Sequence, residues 1–207
     1  MNVTVRCGSE LLPAAWRFAT WADVGWLQGW VESLGTDSSS DMRDSADFAR
    51  QAVARWRAYA DKSLAASSVE DVRRRSAECP DEEFAVLLVL DADWWLRPGQ
   101  PLAFSYFRRT WCGGFYLEFM AAHPLTDGRI AGIVRATMHG MLNLARAANG
   151  EWVWWEATKN SFPRYQKIIQ QENLLGSARP PVRDVFVVRT TGLAELLNEK
   201  TAVTPMP

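Results

Sequence analysis

The sequence predicts a mixed α/β (α+β) fold, one central mixed sheet flanked by helices. Three observations predict it. Phe84-Ala85-Val86-Leu87-Leu88-Val89-Leu90 is a continuous apolar run, short enough for a strand covered on both faces. Two more strand-length segments follow behind turn signals: Leu102–Phe107 after Arg97-Pro98-Gly99-Gln100, and Phe115–Ala121 after Cys112-Gly113-Gly114. Between about Gly128 and Asn149, Ile130, Ile133, Val134, Thr137, Met138, Met141, Leu142 and Ala145 recur at helical spacing on one stripe, with Arg135, His139, Asn143 and Arg146 on the other. A strand pattern, Glu151–Ala157, comes next, so strand, helix and strand imply a parallel crossover.

The remaining elements follow in order. Val3, Val5 and Cys7 alternate with polar residues and predict a first strand. From Pro13 to Leu34 the pattern is helical, with Trp26, Leu27, Trp30, Val31 and Leu34 on one face. Gly35–Ser40 is a loop by composition, and Asp41 is placed to cap a helix carrying Phe48, Ala52, Val53 and Trp56. Ser68-Val69-Glu70-Asp71 has the form of a capping box and starts a further helix through Arg73-Arg74-Arg75, a solvated basic face. Asn149-Gly150 ends the long helix. Asn160–Gln171 is helical in pattern with Pro163 in its first turn, Val185–Arg189 is a last strand, and Leu193–Lys200 a short closing helix. No repeat or linker divides the chain, and residues 1–207 are expected to form one domain.

Composition narrows the function classes. Of 207 residues, 48% are hydrophobic and 23% charged, and the net charge is −1, which favours neither a nucleic-acid backbone nor an anionic membrane as partner. Cys7, Cys79 and Cys112 form neither a CxxC pair nor a secreted-type framework, so the expected compartment is the cytoplasm. His123 and His139 are the only histidines, and no metal site is expected. Met1–Arg6 lacks the apolar core of a signal peptide, and no segment approaches the roughly 18 apolar residues of a membrane span. The eleven tryptophans suit an aromatic pocket or, more often for this residue, core and rim positions.

Arg129-Ile130-Ala131-Gly132-Ile133-Val134 stands between a strand and the amphipathic helix. A helix N-terminus offers unpaired N–H groups and a positive dipole end to a pyrophosphate, a glycine lets the backbone approach, and an arginine adds a charge-assisted bond. This stretch resembles the signature Arg/Gln-x-x-Gly-x-Gly/Ala of the GNAT N-acetyltransferase superfamily. Arg129 and Gly132 fit it, and Val134 stands where that family has glycine or alanine. The element order resembles the same family over nearly the whole chain. The resemblance implies a GNAT-like fold with a sheet of about six or seven strands. It also implies acetyl-CoA, or another acyl-CoA, as co-substrate.

What the resemblance implies for single residues is as follows. The strand before the signature splays from its parallel neighbour, and the backbone of Phe119, Met120 and Ala121 pairs with the pantetheine arm. Glu118 is the strand's only charged residue and takes the place of the general base; the other reading is a structural carboxylate paired with an arginine. Lys159–Lys167 resembles the family's closing motif. There Asn160 hydrogen-bonds the cofactor and Tyr165 gives a proton to the departing thiolate, although the two stand closer together than in the family; Tyr165 otherwise reads as a packing residue. His123 lies near the site, and Cys112 has no histidine partner in register.

Two functions are carried forward. The first is an N-acyltransferase in which a primary amine, small-molecule or peptide, attacks the thioester directly in a ternary complex. The amine would contact Trp16–Asp47, a region carrying Asp37, Asp41, Asp44 and Asp47. The second is a GNAT-fold protein without catalysis that binds acyl-CoA or a partner protein. Either admits a homodimer.

Overall fold

The computed structural model describes residues 1–97, 99–126, 130–157, 161–171 and 185–190. Strand β1 (Asn2–Cys7) turns through Gly8, at φ +62°, into β2 (Glu10–Phe18). Helices α1 (Trp21–Gln28) and α2 (Ser40–Ala60) follow, then β3 (Ala65–Ala66) and α3 (Val69–Glu78). Strands β4 (Phe84–Asp91), β5 (Ala103–Arg109) and β6 (Phe115–Ala122) form an antiparallel meander. The chain continues through β7 (Ile130–Ala131), α4 (Ile133–Ala147), β8 (Trp152–Glu156), α5 (Phe162–Gln171) and β9 (Val185–Arg189).

Among the described residues the sheet has nine strands, in the order β7-β1-β2-β4-β5-β6-β8-β9, with β3 alongside β4. It is mixed, because β3 with β4 and β6 with β8 are parallel pairs. Strand β4 shows why its apolar run is unbroken. Phe84, Val86, Leu88 and Leu90 enter a core shared with α3, α4 and α5, whereas Ala85, Leu87 and Val89 enter one shared with α1 and α2. Strand residues alternate between faces, and here both faces are covered.

The structure corrects the sequence reading in several places. The sheet exceeds the expected six or seven strands because β2 runs into the segment Pro13–Leu34 read as helix, taking it up to Phe18, and because β3 and β7 are only two residues long. The leucines and alanines of β2 are good helix formers, but pairing with β1 and β4 overrides that preference. Pro13 is tolerated because β4 joins β2 only from Ala15 onward, leaving an open edge beside the proline; its carbonyl accepts the Trp94 indole N–H at 2.7 Å. Ser39, not Asp41, caps α2, accepting from the Met42 N–H at 3.2 Å. Helix α4 begins at Ile133 rather than near Gly128, since Ile130 and Ala131 pair with Cys7 and Arg6 of β1.

Other expectations hold. Ser68 caps α3, and Asp71 returns a bond to the Ser67 N–H. Asn149, at φ +55°, ends α4, where the Gly150 N–H reaches the Ala145 carbonyl at 2.8 Å. The basic triplet is more tied down than a solvated face: Arg73 donates to the Ala147 carbonyl and Arg75 pairs with Asp71. The closing helix at 193–200 lies outside the described residues.

Candidate acyl-CoA cleft

The site starts from a strand pair that comes apart. β6 pairs with β8 only through Phe115–Leu117 against Val153–Trp155; β6 then runs on to Ala122 while β8 ends at Glu156. The backbone of Glu118–Ala122 therefore has no strand partner on that side among the described residues. Within the β5–β6 pair, Tyr106 faces Phe119 and Phe107 faces Leu117, so Glu118 is the extra residue of a β-bulge. A bulge bends a strand and re-aims its side chains.

A cleft of about 1230 Å³ lies along this open edge. Met120, Ala121 and Ala122 of β6 line it. From one face of the sheet it takes Gly132–Arg135 at the start of α4 and Ser161, Arg164, Tyr165, Lys167 and Ile168 of the α5 region. From the other it takes Asp41, Met42, Asp44 and Phe48 of α2. Its charges are segregated. Arg6, Arg135, Arg164 and Lys167 lie on β1, α4 and α5, while Asp41 and Asp44 lie on α2.

Gly132 joins β7 to α4 at φ +89°, a conformation that L side chains rarely adopt. A Cβ there would meet only backbone of Val5 and Arg6 at 3.9 Å, so the demand for glycine is conformational rather than steric. Gly132 has no side chain to cap α4, and the first-turn N–H groups of a helix lack intrahelical acceptors. These N–H groups and the positive end of the helix dipole meet the cleft. Ile130, Ala131 and Ile133 line it as well. Val134 is half-buried: it packs on the core and also borders the cleft, so it does not turn wholly inward. Arg129 and Asn160 lie outside the described residues.

Tyr165 is brought to the open edge. Its residue is 5% exposed, its ring packs against Trp155 and Phe186, and its hydroxyl donates to the Met120 thioether sulfur at 3.9 Å. Burial pushes the phenol up to about 12, against the lesser opposing effect of Arg164, so the proton stays on at neutral pH.

Glu118 and Phe119 are placed differently. Glu118 accepts from Arg55 at 3.0 Å through one oxygen and from Arg108 through the other, with its side chain 5% exposed. Phe119 packs between the tilted rings of Phe48 and Tyr106, with Arg55 above its own ring. Neither borders the cleft. His123 does, but it is fully engaged. Its Nδ1 accepts the Leu125 N–H at 3.1 Å, which leaves Nε2 as the protonated nitrogen facing the Gln100 amide oxygen at 3.2 Å. Burial, with Arg97 adding to it, lowers this imidazole to about 4, so it is neutral. No tryptophan borders the cleft; Trp16, Trp30 and Trp155 are among the largest buried side chains.

Arg164, Lys167, Ile168 and Gln171 were not singled out in the sequence, although their i, i+3, i+4, i+7 spacing places them on one face of α5. Arg6 carried no such signal, because it reaches the cleft through the pairing of β1 with β7.

No protein-family model matches the sequence, and a search of curated proteins finds no match. Solved structures do match. One is described as an acetyltransferase of the GNAT family from Desulfovibrio desulfuricans; it is 13% identical, with a TM-score of 0.51 over 86% of this chain and 99% of that one. Another is the spermidine N-acetyltransferase SpeG chimera from Vibrio cholerae and hSSAT, 8% identical, with a TM-score of 0.51 over 89% of this chain and 98% of that one. The fold is the GNAT acetyltransferase fold. At such identities the GNAT likeness extends to the path of the chain, and the chemistry has to be argued from this chain's own residues.

Proposed function

We propose that this protein is an N-acyltransferase that moves an acetyl, or other acyl, group from acyl-CoA to a primary amine by direct attack in a ternary complex. The observation that carries the proposal is the coincidence, in one cleft, of an unpaired strand edge, an uncapped helix N-terminus and a buried phenol.

The residues fit an acyl-CoA. The open backbone of Met120–Ala122 offers the N–H and C=O pattern of a missing strand to an extended pantetheine arm. The first turn of α4 offers backbone N–H groups to a pyrophosphate, and Arg6, Arg164 and Lys167 add positive charge on that side. Arg129 and Asn160 belong to the same proposal from the sequence. The co-substrate supplies an acyl thioester, whose carbonyl is the electrophile.

The chain's part in the chemistry is binding, orientation and one proton. Main-chain N–H groups of β6 polarise the carbonyl. Tyr165 holds a proton at its hydroxyl beside Met120 and delivers it to the departing sulfur. Asp41 and Asp44 draw a protonated amine into the mouth of the cleft, where it loses one proton to water before it attacks; the second, on the nitrogen of the tetrahedral adduct, leaves through water as the C–S bond breaks and restores the Tyr165 hydroxyl. Glu118 stands outside this path: with both oxygens bound to guanidinium groups it ties α2 to β5. Those ion pairs are the observation that favours the second reading, an acyl-CoA binder without turnover, because they occupy the carboxylate that would serve as base.

The test is a thermal melt with acetyl-CoA and with desulfo-CoA, followed by thiol release over an amine panel. Both ligands should raise the melting temperature, and thiol release should depend on the amine. No shift with millimolar ligand would overturn the acyl-CoA reading. A shift with no thiol release from any acyl-CoA would leave the binder.

A further inference from the structure

Away from the cleft, the hairpin that joins β5 to β6 is built around Cys112, an exposed free thiol. Thr110 closes the hairpin through its N–H and its hydroxyl, both donating to the Gly114 carbonyl at 2.9 Å. The same hydroxyl oxygen stands 3.1 Å from Cys112 Sγ. With the sulfur protonated, S–H donates to Thr110 and Thr110 donates to Gly114. With the sulfur ionised, the hydroxyl proton can turn to it, so the turn has a donor ready for a thiolate. That donor, the nearby Gly114 N–H and Arg109 together hold the thiol below its ordinary range.

Arg109 is the second, independent observation. It is 6% exposed, and its Nε is buried without a partner. Its Nη1 donates only to carbonyls, Pro80 at 2.6 Å and Glu82 at 3.2 Å, and no carboxylate lies within ion-pair distance of it among the described residues. Its Nη2 points at the turn, 3.6 Å from where a side chain on Gly113 would begin. Burial lowers the guanidinium from its ordinary value, and the charges that act against this are Asp81 and, after it, Cys112. Its guanidinium also lies over the Phe84 ring, 5.9 Å from the centroid. A buried cation held by two carbonyls and a ring, with no ion pair of its own among the described residues, favours an anion nearby, and Cys112 is the thiol of the turn it faces.

We propose that Cys112 is a modification site, a reactive thiolate that takes up low-molecular-weight disulfides bearing carboxylates, with Arg109 as the cation that favours both the thiolate and the anionic adduct. In the step, the Cys112 thiolate attacks one sulfur of the disulfide. The reagent's S–S bond breaks, a mixed disulfide forms on Cys112, and the other half leaves as a thiolate that takes a proton from water. Cys112 is oxidised and one half of the reagent is reduced.

Cys79 is the internal control. It is also exposed, but it follows Glu78 and precedes Asp81 and Glu82, an acidic setting. The experiment treats the intact protein with oxidised glutathione, which carries carboxylates, or with cystamine, which carries ammonium groups, and follows each cysteine by peptide mass spectrometry. Cys112 should react with oxidised glutathione at least about tenfold faster than Cys79, and the ratio should fall with cystamine. Thr110→Val should slow Cys112 and leave Cys79 unchanged. Arg109→Gln, if its melting curve stays cooperative, should abolish the preference for the anionic reagent. Equal rates at the two cysteines in the unmodified chain would overturn the proposal, as would a Cys112 advantage that is larger with cystamine.

Discussion

Tyr165 and Glu118 were both proton-transfer candidates in the sequence, and their surroundings separate them. The phenol is buried beside the open edge of β6 with its proton held, so removing the hydroxyl should affect the step in which sulfur departs. Tyr165→Phe is expected to lower kcat by about a hundredfold, the size of a positioned general acid's contribution, while the melting shift with desulfo-CoA persists. Turnover at the parent rate would remove the assignment. Glu118→Gln should act on stability instead. It leaves Arg108, and in part Arg55, without the carboxylate that both bind. We expect a loss of about 1–3 kcal/mol in urea unfolding, with turnover largely retained. A sharp fall in kcat at unchanged stability would restore the base role to Glu118. The sequence showed a carboxylate in an apolar strand; it could not show which partners the bulge and α2 bring to it, since these lie 10 and 63 residues away in the chain.

Elements were legible in proportion to how local their causes are. The stripe of α4, the two-faced run of β4 and the caps at Ser68 and Asn149 rest on neighbours within a few residues, and the sequence displays them. β2 was missed because its strand character comes from pairing with β1 and β4, while its residues favour helix. The start of α4 was misplaced because Ile130 continues the helical stripe by chance, although it packs on the core from a strand. Gly132 divides strand from helix there, and its left-handed backbone gives a prediction for the element. Gly132→Ala places a Cβ at φ +89° and should cost roughly 1–2 kcal/mol, enough to shift the α4 N-terminus toward a right-handed start. Because that turn faces the cleft, the melting shift with acetyl-CoA should shrink in the same variant. A full ligand shift in a destabilised Gly132→Ala protein would mean that the first turn of α4 does not hold the ligand.

For the molecule as a whole, buried titrating groups on opposite sides of neutrality set the range of pH over which the fold is most stable. His123 is held at about 4 by burial and by Arg97, against an ordinary value of 6.5. The folded state thus prefers the neutral ring, and the stabilisation is present above 6.5 and lost as pH falls toward 4. The loss amounts to about 3 kcal/mol. Tyr165 is raised by burial from 10.0 to about 12, so its contribution is complete below 10 and lost as pH rises to 12, again about 3 kcal/mol. Burial raises Tyr106 and Tyr116 in the same direction. Against a typical total of about 5–15 kcal/mol, either limb is a large share. Asp23 adds to the acid side below its ordinary 3.8, because the bonds from Arg17 and Thr20 outweigh its burial and keep it ionised in the fold. Urea unfolding across pH should therefore show a fall below roughly 6.5 and another above 10, with only a small rise toward 9 between them from the exposed Cys112, whose thiolate the fold favours. The two limbs can be removed separately. His123→Gln, which keeps a donor and an acceptor between Leu125 and Gln100, should flatten the limb between 4 and 6.5 and leave the alkaline one. Tyr165→Phe should reduce the alkaline limb and leave the acid one. An acid limb that survives unchanged in His123→Gln would show that carboxylates such as Asp23, rather than the imidazole between Trp30 and Trp95, set the lower bound.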